Sequence, residues 1–145
     1  MNSRARRPPK NAMTPPDKSD PMHVPILKQG PYLIASIQSA LTDSDLFQLR
    51  DDLVERVGRA RSRGVIIDVT VLEVMDSFAC RVLRDLVNMI KLRGAEAVIV
   101  GIQPEVAFAM VQLGLSLEGA VTALDLEEGL AYLDRQVGGG RGRGR

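Results

Sequence analysis

The stretch GVIIDVTVLEVMDSFACRVLRDLVNMIKLRG, residues 64–94, changes its period part-way along, and that change decides the fold. Its first part, GVIIDVT, is β-branched and apolar on both alternations until Asp68, the pattern of a strand covered on both faces. From Ser77 the spacing becomes helical. Phe78, Val82, Leu86, Met89 and Ile90 recur along the run, which ends with Lys91, Arg93 and Gly94, cations suited to the negative end of a helix dipole.

Working outward, VPILKQGPYLIASIQ before it reads as two short strands broken at Gly30-Pro31, a turn pair that suits a hairpin. LTDSDLFQLRDDLVERVGRARSRG puts Leu46, Leu49, Leu53, Val54 and Val57 on one helical face, with Asp43 or Ser44 as its cap and Gly64 as its stop. After residue 94 the pattern repeats: AEAVIVG as strand, PEVAFAMVQLG as a helix opened by Pro104, AVTAL as a short strand and DLEEGLAYLDRQ as a final helix. This alternation predicts one α/β domain over residues 24–137, with about four helices packed on a mostly parallel sheet.

The ends differ in composition. Residues 1–23 carry five Lys/Arg against two Asp/Glu and are rich in proline, while residues 138–145 carry three arginines among glycines. Neither can bury enough apolar surface to offset its ordering entropy, so both are expected to be disordered. The middle is left with 11 basic and 16 acidic residues, a net charge of about −5. Three arginines without interleaved aromatics are a weak indication of nucleic-acid binding, which is not expected. No apolar run is long enough to cross a bilayer, and arginines and prolines stand where a signal peptide has its apolar stretch, so a cytoplasmic location is expected. The lone cysteine, Cys80, excludes an internal disulfide and is read as a small buried hydrophobe.

Groups for catalysis are scarce. His23, the only histidine, lies in the N-terminal arm, so the core can assemble neither a Ser-His-Asp relay nor a His-containing metal site. No glycine-rich phosphate loop is present, and no cofactor or metal is expected. The carboxylate pairs Asp51-Asp52 and Glu127-Glu128 fall within amphipathic helices and read as structural. Ser77 stands out. Read locally it is a helix cap, but free N–H groups and the positive dipole end at a helix start also favour a phosphate. A phosphate there adds a charge of about −1.5 to −2 beside Asp76 and Glu73, which alters what the surface can bind.

Five ordered segments, PILKQGPYLIASIQSAL, RGVIIDVTVLEVMDSF, GIQPEVA, LGL and ALDLEEGL, resemble the STAS domain of anti-sigma-factor antagonists over nearly all of residues 24–134. The bulky FACRVLRDL after Ser77, where sporulation-type antagonists have a small, glycine-containing stretch, points to the branch of bacterial stressosome scaffolds. The resemblance implies a non-enzymatic substrate of a switch serine/threonine kinase, phosphorylated at Ser77 and reset by a phosphatase. The unphosphorylated form would sequester the kinase. It also implies co-assembly with sensory STAS-domain paralogues into a large homo- or hetero-oligomer. Partner contacts are expected at Asp76, Phe78 and Arg81, with Gln103 and Pro104 of the GIQPE loop at the same sheet edge.

Overall fold

The structure, a computed structural model, describes residues 24–138. The expected arm of residues 1–23, with His23, lies outside the described residues, as does the tail beyond Gly138. The chain runs β1 (Ile26–Gln29), β2 (Tyr32–Ser36), α1 (Asp43–Ala60), β3 (Gly64–Asp68), α2 (Ser77–Leu92), β4 (Glu96–Val100), α3 (Pro104–Gln112), β5 (Val121–Ala123) and α4 (Leu126–Leu133), closed by a π-helical turn at Asp134–Gly138.

The five strands form one sheet in the order β1-β2-β3-β4-β5. Only β1 is antiparallel, pairing Ile26 with Ala35 and Gln29 with Tyr32 across the Gly30-Pro31 turn. β2 to β5 are parallel, with Leu33 opposite Val65 and Val65 opposite Ala97. The mostly parallel α/β sandwich with four helices is therefore observed.

Period-two alternation divides the core. Val65, Ile67, Ala97 and Ile99 face one way and pack with Leu53, Leu83, Leu86 and Ile90 of α1 and α2. Ile66, Val98 and Val100 face the other way, against Leu133. A central strand with both sides covered has no polar alternation to show, which is why β3 reads as a continuous apolar run.

Two helix ends differ from the sequence reading. The cap of α1 is Thr42, not Asp43 or Ser44. Its hydroxyl accepts from the Asp45 N–H at 3.0 Å while the Asp45 carboxylate accepts from the Thr42 N–H at 3.0 Å, a reciprocal capping box. Nor does Gly64 end the helix. Arg61 takes the left-handed conformation at the exit (φ 51°), and Gly64 opens β3, where a side chain would collide with Leu133. Three of the four carboxylates in the pairs make local contacts: Asp51 meets Arg50, Asp52 accepts from Gln48, and Glu128 accepts from the Leu124 N–H while its own N–H donates to Asp125.

Candidate functional site

Parallel strands deliver their following loops to one edge of the sheet, and here these loops are tied together. Ile37 N–H donates to the Asp68 carbonyl and Val69 N–H to that of Val100, each at 3.0 Å. The Asp68 carboxylate accepts from both the N–H (3.0 Å) and the hydroxyl (2.6 Å) of Thr70, which fixes the first turn of the loop leading to α2. Gln103 donates through Nε2 to the Thr70 carbonyl at 2.7 Å. Gly101 has φ +85°, and any side chain there would overlap that of Thr70. Glycine is needed on both counts: backbone conformation and close approach of the two loops.

Leu72 and Met75 anchor the β3–α2 loop in the core. Val71 and Val74 project outward instead, 49% and 75% exposed. The loop ends at Asp76, whose carboxylate accepts from the Ala79 N–H at 2.8 Å. Asp76 is therefore the cap of α2, and Ser77 is the first helical residue. The local reading of Ser77 as the cap is corrected. Its side chain is exposed and bonds to no described residue, while Asp76 takes over the orphan donor that a cap serves.

Phe78 is half-buried beside Leu46, Ala79 and Val82, in a small cluster between α1 and α2. Its ring meets that of Phe47 edge-on, with centroids 5.4 Å apart at 85°, and the Arg50 guanidinium lies 4.8 Å over Phe47. Phe78 thus orients the helix start and still shows one side to solvent. Arg81 lies one turn after Ser77, on the same helical face, exposed and in no ion pair among the described residues. Gln103 braces the loop through Thr70 and is joined to neither Asp76 nor Ser77, and Pro104 opens α3. A groove of about 480 Å³ runs beside the serine between the loops after β2 and β3. Val71, Val74 and Phe47 escaped the sequence reading. Nothing local in VTVLEV marks which of its valines turn outward, and the helical pattern gave no sign that Phe47 faces Phe78.

Just behind the site, Cys80 is buried, and burial pushes its thiol up; Arg84 works against that shift and Asp76 adds to it. The raised value belongs to the folded state, so as pH climbs the unfolded chain loses its thiol proton first. Stability is complete below the ordinary thiol range and is lost as pH rises through the folded value. Urea denaturation should show a smaller alkaline fall in stability for Cys80→Ala than for the natural chain. Equal falls would assign the loss to other groups.

The STAS domain family model matches residues 23–128. Among solved structures, a serine-to-glutamate variant of Moorella thermoacetica RsbS is 36% identical, with a TM-score of 0.68 over 79% of this chain and 97% of its own. A chain from the molecular architecture of the stressosome, described as a signal integration and transduction hub, is 34% identical with a TM-score of 0.63, covering 77% of this chain and 97% of its own. The RsbT co-antagonist protein RsbRA of Bacillus subtilis (strain 168) is 30% identical over 62% of this chain, which spans only 34% of that protein's length. Among the described residues no helix is long and apolar enough to cross a membrane.

Proposed function

We propose a partner-switching role for this chain, which belongs to the STAS-domain family. In this reading it is a cytoplasmic antagonist and scaffold of a stressosome-type stress response. Its unphosphorylated form holds a switch serine/threonine kinase against the edge formed by Asp76, Ser77, Phe78 and Arg81, with Gln103 and Pro104 alongside. The kinase phosphorylates Ser77 and is released to act on a downstream partner, and a phosphatase restores the serine. The chain supplies a substrate and a surface, so no catalytic group of its own is required.

The observation that carries this reading is the unengaged Ser77 hydroxyl, exposed on the first turn of α2 while Asp76 does the capping. A phosphate on that oxygen would lie by the positive end of the helix and within a turn of Arg81, yet it would add negative charge beside Asp76 and Glu73. Covalent change is thus tolerated by the fold and felt by the surface. RsbRA is named a co-antagonist of RsbT, and a 34%-identical chain belongs to the stressosome; both support an antagonist that works inside an assembly with sensory paralogues.

Phosphosite mapping tests it. The natural chain and Ser77→Ala are incubated with ATP and lysate from stressed source cells, then analysed by mass spectrometry. Phosphate on Ser77, absent from the variant, is the expected result. A folded protein left unmodified at Ser77 under activating conditions would sink the switch.

A further inference from the structure

We propose that residues 1–23 of this chain dock in the groove beside Ser77, their basic residues against its acidic rim and their prolines on its apolar floor. Leu41, Leu46, Val71 and Val74 supply apolar surface to this groove, Asp43, Glu73 and Asp76 supply charge, and no Lys or Arg among the described residues lines it. Val71 and Val74 leave large apolar groups in water on a groove whose only charged lining residues are acidic. That combination selects an occupant that is both cationic and apolar.

The chain carries such a segment. Residues 1–23 hold Arg4, Arg6, Arg7, Lys10 and Lys18 against Asp17 and Asp20, so their charge is opposite to that of the rim. Pro8-Pro9 and Pro15-Pro16 add apolar rings beside those charges, the chemistry by which proline-rich segments fill shallow apolar grooves. The path also fits. The Pro25 carbonyl accepts from the Ser36 N–H at 3.1 Å, so the chain enters the fold at the C-terminal end of β2, where the groove wall from Gln38 to Leu41 begins.

From there the basic block at residues 4–10 has at least 14 residues of chain, about 45 Å when extended, with which to reach the rim. Tethering sets an effective concentration on the order of millimolar, so a contact too weak to persist between separate molecules is populated within one. The docked segment would compete with whatever reads the surface around Ser77. That competition rests on the function proposed above, whereas the docking does not.

The test uses the full chain carrying Cys80→Ala, so that a nitroxide attaches only at Asn11→Cys, and reads attenuation of backbone amide signals by nuclear magnetic resonance. Outside the labelled segment itself, attenuation of roughly twofold or more should centre on the groove walls, residues 38–46 and 71–79, at low salt. It should fade as salt rises, because the rim charges are solvent-exposed, and in the double variant Asp43→Asn, Glu73→Gln. Attenuation spread evenly over the surface, centred elsewhere or indifferent to salt and to that double variant overturns the proposal. The same pattern in a mixture of spin-labelled and separately isotope-labelled chains would place the segment on a second copy, which also overturns docking within one chain. Absence of phosphate at Ser77 would leave these signals untouched, so the two readings fail separately.

Discussion

On the proposed function, replacing Ser77 by glutamate should weaken binding of a switch kinase at least about tenfold while leaving thermal stability within about 0.5 kcal/mol of the natural chain. The two halves of this result have different causes. Stability is spared because the Ser77 hydroxyl bonds to no described residue, and an acidic side chain on the first turn of α2 interacts favourably with the helix dipole. Binding suffers because the new carboxylate stands beside Asp76 and Glu73 on a surface that a partner must desolvate, and unfavourable charge placed at an interface costs several kcal/mol. Asp76→Ala should do the reverse at the fold level. It removes the carboxylate that holds the Ala79 N–H and should lower stability by about 1 kcal/mol. Calorimetric titration with the kinase, paired with thermal melts, separates the two positions. A Ser77→Glu chain that binds as tightly as the natural one would remove the charge argument, and one that melts several degrees lower would show that position 77 has a structural duty after all.

Leu86→Ala is expected to be the most damaging of the substitutions considered, with a loss of about 2–5 kcal/mol. Leu86 is 0% exposed and sits in the larger core cluster, on the face of α2 turned to the sheet. Truncation loses the transfer energy of the missing carbons and leaves a cavity that rigid neighbours on two layers cannot close. Against a typical domain stability of roughly 5–15 kcal/mol this is a large fraction, and it should lower the melting midpoint by roughly 8–20 °C. Differential scanning calorimetry reads it directly. A shift of only a degree or two would mean that α2 repacks freely on the sheet, and the fixed start of that helix would then be in doubt.

How much of this was legible in the sequence depended on the range of the interactions involved. Strands β1 to β5 and the four helices were readable because each depends on local periodicity, and the hairpin was marked by Gly30-Pro31. The cap of α1 was misplaced by one or two residues because Thr42, Asp43 and Ser44 are all capping types in a row. The deciding signal was the reciprocal pair of Thr42 with Asp45 three positions on. At the site, Asp76 and Ser77 posed the same ambiguity, and only the bond to Ala79 resolved which of them caps. Contacts made across the fold left no local trace: Gln103 reaching Thr70, Phe47 meeting Phe78, and the outward turn of Val71 and Val74. The first two join separate segments of the chain and the third is set by how the loop is anchored at Leu72 and Met75, so no period within a single segment encodes them.

The separation of duties between Asp76 and Ser77 also bears on how such proteins can diverge. Where one residue both starts a helix and accepts a modification, every change in regulation is also a change in folding, and most variants are lost. Here the neighbour carries the folding duty, so position 77 is open to drift. On the proposed function, threonine there would retune the reaction, alanine would silence it and an acid would set it permanently, each at little structural cost. Duplicated copies could then take up different signalling behaviour one substitution at a time while still fitting the same assembly.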